Sequence, residues 1–282
     1  MRVTSDIATA SERPAARAAP PVSGPIMAIG GAEDKLDNKV ILSTFLQISG
    51  GSNARLAILP TASSIESAGE RYKALFLSMG AESAEVAYFG ERPSANAGPL
   101  LNVLEGSTGI FLTGGNQLRL SALLGGTEVS SIIRRRHNEG AVIAGTSAGA
   151  SILSSHMVGY GASGNTPKQR MAQMVAGFGL VHDVIIDQHF RQRDRIGRLL
   201  ALVASNPRLL GVGIDEDTAV LFDHHQTMEV IGRRSVTVVD GRHMESNIYQ
   251  VKRYGEISIT GATLHMLTAG RRFDLADRAV LD

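Results

Sequence analysis

The strongest chemical signal in the chain is Gly145-Thr146-Ser147-Ala148-Gly149, a G-x-S-x-G that follows the apolar run Ala141–Ala144. A buried strand turning sharply into a helix projects the Ser hydroxyl, and small flanking residues let the chain fold tightly around it. The N–H of Ala148 then opens the new helix, where a developing oxyanion is favoured. A serine nucleophile needs a base, and the chain has eight His. Seven of them, His137, His156, His182, His224, His225, His243 and His265, have no strand-end context. His189 differs, because VIIDQHF (184–190) sets it just past a buried run, at what reads as the same sheet edge as Ser147. An orienting acid should come from another strand end, and GIDEDTA (213–219) offers Asp215, Glu216 and Asp217. Spacing alone does not choose among the three. The chain order Ser, His, acid is not the Ser, acid, His order of α/β-hydrolases and argues against a lipase or esterase.

A second signal is the arginine cluster Arg191, Arg193, Arg195 and Arg198 in RQRDRIGR (191–198). Ile196, Leu199, Leu200 and Val203 follow helical spacing, with an end near Asn206-Pro207. The arginines therefore crowd a helix N-terminus, the unfavourable end for cations. A site that binds substrate carboxylates through guanidinium forks accounts for that placement.

The elements that must position these groups are short β-branched runs, each ending in a glycine or turn and followed by an amphipathic segment. They include 25–31, 53–63, 84–90, 109–117, 141–149, 184–190 and 211–222, with helices over Glu66–Met79, Leu118–Leu124 and Glu128–Glu139. Alternation of this kind predicts an α/β fold, a mostly parallel sheet flanked by helices. After Thr218 the pieces TMEVIG, SVTVVDG and GEISITG predict an antiparallel C-terminal extension. Ligands of open α/β sheets bind outside the carboxyl ends of the strands. That rule selects the turns after Ile29, Thr113, Ala144, Ile186 and Ile214. No fixed-period repeat interrupts the pattern.

Composition narrows the choices further. The chain has 282 residues, no Cys, and 28 Lys plus Arg against 27 Asp plus Glu, a net charge of +1. Absent cysteine excludes disulfides, Cys-ligated zinc, iron–sulfur clusters and a thiol nucleophile. Balanced charge argues against nucleic acid or an anionic membrane as partner. No stretch approaches the ~18 apolar residues of a membrane span. Residues 1–24 are rich in Ala, Pro and Arg without a secretory apolar run and read as a disordered tail, leaving 25–282 as a single catalytic domain. The glycine-rich Gly159–Gly164 follows a helix rather than a first strand, so it makes a poor dinucleotide fingerprint. Neither HExxH nor a P-loop occurs, and no metal or cofactor is expected.

The blocks GGAEDK (30–35), LTGGNQ (112–117), GTSAGAS (145–151), IDQHFRQRDRIGRLL (186–200) and GIDEDTA (213–219) together resemble the cyanophycinases. These are serine peptidases with a class I glutamine-amidotransferase-like, flavodoxin-like fold, beside the aspartyl dipeptidases of peptidase E type. GTSAG is shared with peptidase E, whereas DQHF with its trailing arginines is more specific to cyanophycinases. The resemblance implies Ser147 as nucleophile, His189 as general base and Glu216 as orienting acid. It implies Gly115 and Ala148 N–H as the oxyanion hole, and Gln117, Asp187, Gln188, Arg193, Arg195 and Arg198 as substrate-binding residues. It further implies a cytoplasmic homodimer that cleaves cyanophycin, an arginine-decorated poly-aspartate, to β-Asp-Arg dipeptides. An aspartyl dipeptidase would share nucleophile and fold without needing the arginine set. A non-catalytic binding module would have no use for Ser147, His189 and the acids together.

Overall fold

The run Ile26–Ile29 (β1) is buried at every residue, as an apolar strand covered on both faces must be. Around it the computed structural model describes residues 22–65 and 67–281, so the expected tail over 1–24 lies almost wholly outside the described residues. In chain order β1 is followed by α1 (Val40–Ile48), β2 (Arg55–Leu59), α2 (Ala68–Ser78), β3 (Ser83–Val86) and α3 (Leu100–Glu105). Then come β4 (Gly109–Leu112), α4 (Gln117–Leu124), α5 (Glu128–Asn138), β5 (Val142–Thr146) and α6 (Ala148–Ser151). A hairpin, β6 (His156–Gly161) and β7 (Ala172–Ala176), leads to β8 (Val184–Gln188), α7 (Ile196–Ser205) and β9 (Leu210–Ile214). The rest is strand: β10 (Thr218–Phe222), β11 (Thr227–Gly232), β12 (Ser235–Asp240), β13 (Glu245–Ser246) and β14 (Ile259–Thr260). The last are β15 (Thr263–Thr268), β16 (Arg272–Asp274) and β17 (Ala279–Leu281).

A nine-stranded sheet runs in the order β17-β16-β11-β10-β1-β5-β4-β2-β3. From β1 to β3 every pair is parallel; from β1 to β17 every pair is antiparallel. The expected parallel core with an antiparallel C-terminal extension is therefore what forms. Helices α1 and α2 cover one face through Phe45 and Phe76, whose rings meet Phe111 of β4 at 5.4 and 5.5 Å. Helix α5 carries Glu128 in its first turn and Arg135, Arg136 and His137 in its last, the charge order its dipole favours.

Two expectations need correction. The run 211–222 is not one element: β9 and β10 belong to different sheets, separated at Asp215-Glu216-Asp217, where Asp217 adopts φ 52°. Nor does His189 share a sheet edge with Ser147. Strand β8 lies in a second sheet, ordered β15-β12-β9-β8, with β8 and β9 parallel. Residues such as Ile143 of β5 and Ile186 of β8 pack into one shared core, so the two sheets face each other. Helix α7 covers the second sheet's other side and is buried on most of its surface rather than on one stripe.

Candidate active site

Five strand ends converge between the two sheets, and each contributes a turn with unusual backbone. After β5 the chain closes so tightly that a Cβ on Gly145 would stand 2.0 Å from the carbonyl oxygen of Gly149. Ser147 at the apex adopts φ 55° and ψ −112°, a conformation that costs of order 1–3 kcal/mol and persists only where its surroundings impose it. Those surroundings are specific. Ser147 N–H donates to Ile29 O of β1 at 3.0 Å, and Ser147 O accepts from Ala150 and Ser151 N–H of α6. Ala148 N–H is the first donor of α6, and the Gly114-Gly115 turn after β4 lies alongside: a side chain at Gly114 would approach Ser147 Cβ to 3.3 Å.

His189 follows β8 with φ 48°, its N–H donating to Gly30 O after β1 at 2.8 Å. Its Nε2 lies 2.8 Å from Ser147 Oγ, and its Nδ1 lies 2.7 Å from Glu216 Oε1. The ring is packed against Gly31, where a Cβ would come within 2.3 Å of Cε1; only glycine fits there. Burial lowers the His189 pKa below the usual histidine value, Arg193 and Arg195 push the same way, and Glu216 opposes them. The imidazole is thus neutral, and able to accept a proton, on the acid side of the usual histidine range.

The three acids of 215–217 divide by direction. Glu216 faces His189, and its own N–H donates to Gln192 Oε1 at 2.9 Å. Asp215 is buried and accepts from Arg191 N–H at 3.0 Å and from Ser235 Oγ at 3.0 Å. Asp217 turns the other way and accepts Asp34 N–H at 2.8 Å.

The residues assigned by resemblance to substrate are arranged less simply. Asp187 is fully buried and binds Arg198 Nε at 2.6 Å, Arg198 Nη2, and Arg195 Nη1 at 3.3 Å. Arg195 Nη1 also donates to the backbone and side-chain oxygens of Gln188, while Arg195 Nε is buried without a partner. Burial, helped by Arg198 and Arg193 and opposed by Asp187, pulls the Arg195 pKa down to about 10. The guanidinium of Arg198 is thus engaged by the chain's own Asp187 and by Gly161 O, whereas Arg195 is held through Nη1 alone, its Nε being without a partner among the described residues. This also removes the helix-dipole puzzle, because a buried carboxylate offsets the cations at the start of α7. Arg193 is different, exposed in the turn between β8 and α7 with no side-chain partner among the described residues. Gln117 begins α4 behind its Asn116 cap, and its amide N–H groups donate to Val158 O and Gly159 O of the β6–β7 hairpin at 3.0 and 2.9 Å. Gly159–Gly164 lies along β6 and the turn after it, not at a strand-to-helix turn.

Comparison with known proteins yields a match to "Peptidase family S51" over residues 26–230. The chain belongs to that family. This S51 peptidase is 42% identical over 259 residues to a cyanophycinase of Trichormus variabilis, covering 91% of this chain and 87% of that protein. It is 40% identical to a cyanophycinase of Geminocystis herdmanii over 252 residues, covering 88% and 93% of the two chains. Among solved structures, a peptidase from an acI-B1 Actinobacterium superposes with a TM-score of 0.67 at 20% identity, covering 91% of this chain and 98% of the other. A putative peptidase E protein from Listeria monocytogenes EGD-e superposes at 0.51 with 18% identity, over 75% and 98% of the chains. These two likenesses concern the fold. No helix among the described residues is long and apolar enough to cross a membrane.

One neighbourhood of the elbow escaped sequence reasoning. Glu33, Thr146, Tyr72 and Lys35 meet beside the elbow through hydrogen bonds of 2.5–2.9 Å. GGAEDK carried Glu33 and Lys35, but nothing in the spacing pointed to Tyr72 on α2.

Proposed function

We propose that this S51 peptidase is a serine-type exopeptidase that hydrolyses cyanophycin to β-Asp-Arg dipeptides through an acyl-enzyme. The single observation carrying the chemistry is the unbroken chain from Ser147 Oγ through the His189 ring to Glu216 Oε1. Ser147 Oγ attacks the scissile carbonyl while His189 Nε2 takes its proton. Glu216 holds the Nδ1–H and stabilises the imidazolium that results. Charge on the carbonyl oxygen is met by the N–H groups of Gly115 and Ala148. His189 returns the proton to the leaving amine; water then attacks the ester, and the same imidazole deprotonates it.

Substrate choice rests on the 40–42% identity to curated cyanophycinases across about nine-tenths of the chain. The electrostatics agree. Two buried guanidinium groups share the one Asp187 carboxylate, and Arg193 stands exposed in the adjoining turn. The exposed cation suits a polymer whose attached arginines carry free α-carboxylates, with Arg193 as the group available to bind one of them. The resemblance that names the substrate also supports a homodimer, which sedimentation of the purified protein tests, and a cytoplasmic location, which fractionation of cells tests.

The decisive experiment incubates the protein with insoluble cyanophycin and identifies the soluble products by mass. Release of β-Asp-Arg supports the reading. Cleavage of small Asp-X dipeptides with the polymer left intact would favour an aspartyl dipeptidase instead.

A further inference from the structure

The turn after β1 touches the flank of all three triad residues. Gly30 O accepts His189 N–H at 2.8 Å, and Gly31 O accepts Asp217 N–H, beside Glu216, at 2.9 Å. Asp34 N–H returns to Asp217 Oδ1 at 2.8 Å. On the third side Glu33 reaches the residue before the nucleophile: Thr146 Oγ1 donates to Glu33 Oε2 at 2.6 Å. Glu33 is only 3% exposed, and a carboxylate is held in such surroundings only when donors replace its water. Here they divide between its two oxygens. Oε1 accepts from Tyr72 Oη at 2.5 Å and Lys35 Nζ at 2.9 Å, which ties the turn to α2; Oε2 takes only Thr146 among the described residues.

This division matters because Ser147 sits at φ 55°, a conformation that relaxes unless it is over-determined. Backbone bonds hold it on the β1 side and on the α6 side. The Glu33–Thr146 bond is a charge-assisted side-chain tether on the strand that enters the turn, one residue from the nucleophile. Burial opposes the charge on Glu33, but Lys35, Thr146 and Tyr72 outweigh it and hold the carboxyl below its usual range.

We infer that Glu33 is a positioning residue: through Oε2 and Thr146 it holds the nucleophile turn in its attacking conformation, while Oε1 secures the fold through Tyr72 and Lys35. This rests on the reading of Ser147 as nucleophile. Its test compares kcat and KM on cyanophycin with the rate at which an aryl sulfonyl fluoride labels Ser147. Glu33→Gln and Thr146→Val should each lower kcat and labelling about tenfold, the scale of one charge-assisted hydrogen bond, with little change in KM. Thr146→Ser, which keeps the hydroxyl, should restore both, and the double variant should lose no more than either single change. Tyr72→Phe should lower Tm and leave kcat within about twofold, as expected for a bond spent on packing alone. If Glu33→Gln does not fold, the Thr146→Val and Thr146→Ser pair carries the comparison. Wild-type kcat and labelling in Thr146→Val, with Ser147→Ala inactive, overturns the positioning role and leaves the serine mechanism standing. Turnover by Ser147→Ala removes the serine mechanism itself.

Discussion

Strand β8 has a Ser–His contact at each end. At its carboxyl end His189 Nε2 meets Ser147 Oγ at 2.8 Å; just before its start His182 Nδ1 meets Ser155 Oγ at 2.9 Å. The two distances are nearly equal, and the surroundings are not. His189 is buried against Gly31, with Glu216 on its second nitrogen and both Ser147 and His189 at positive φ. His182 is exposed, and Ser155 Oγ is also within 3.4 Å of Val181 O. No acid faces its other nitrogen among the described residues. A cavity of about 560 Å³ adjoins this second pair, lined also by His137 and His224, but its Arg208 and Arg278 pair with Asp183 and Asp240. A hydroxyl near an imidazole is thus common currency; an oriented imidazole under a strained turn is what separates the two ends.

The largest expected effect tests that contrast directly. Ser147→Ala should remove nearly all polymer cleavage, leaving at most the ~10³–10⁴ over water that binding and an oxyanion hole supply. Ser155→Ala should leave the rate unchanged. Equal losses in both would erase the distinction between the two ends of β8.

Next comes the acid. Glu216→Gln should cost about 10²–10⁴ in kcat, because the imidazolium loses its partner and its orientation. Asp215→Asn should act on stability instead, since its carboxylate serves Arg191 N–H and Ser235 rather than the imidazole. A kcat collapse in Asp215→Asn with Glu216→Gln near wild type would reverse the assignment.

The arginines should divide by burial. Arg198 is 4% exposed and makes the two shorter bonds to Asp187, so Arg198→Ala leaves that buried carboxylate with only Arg195 Nη1 at 3.3 Å; breaking a buried pair costs up to about 3–5 kcal/mol. For a chain of this size that corresponds to a Tm drop of up to roughly 6–20 °C. Helix-dipole reasoning alone predicts an unchanged or higher Tm, so calorimetry separates the two accounts. Arg193→Ala should leave Tm alone and weaken polymer cleavage.

The smallest effect is the most diagnostic of geometry. kcat/KM should fall on the acid side as His189 protonates, and burial sets that limb below the usual histidine range. Arg193 depresses the same pKa, so Arg193→Gln should move the acid limb toward neutral pH. Glu216→Gln should move it further to acid, because the carboxylate raises the pKa. A limb unmoved by Arg193→Gln would mean that the guanidinium exerts no field at the ring.

Much of this site could be read locally. GTSAG announces its own turn, because only small residues survive where Gly145 meets the Gly149 carbonyl. DQHF and GIDEDTA sit at strand ends, and apolar runs announce strand ends. What local reading missed was non-local. Asp187 lies in an apolar run and its partners Arg195 and Arg198 lie eight and eleven residues on, so the arginines looked like free cations at a helix start. Tyr72 and Glu33 are 39 residues apart, and no periodicity links a helix surface to a turn after β1.

By itself, then, the sequence determined the α/β alternation, the elbow and the set of groups able to do acid–base and nucleophilic chemistry. Those follow from side-chain pattern and from steric limits acting within a few residues. Only the tertiary structure decided that Ser147 and His189 come from two facing sheets. Spacing left three acids open and resemblance selected Glu216. The structure alone shows how Glu216 comes to face the imidazole while Asp215 and Asp217 turn away, and that Asp187 claims two arginines for the interior. Each of these depends on which groups meet across a core. In the low-dielectric interior a charge's role is set by the partner it finds, not by the residues beside it in the chain.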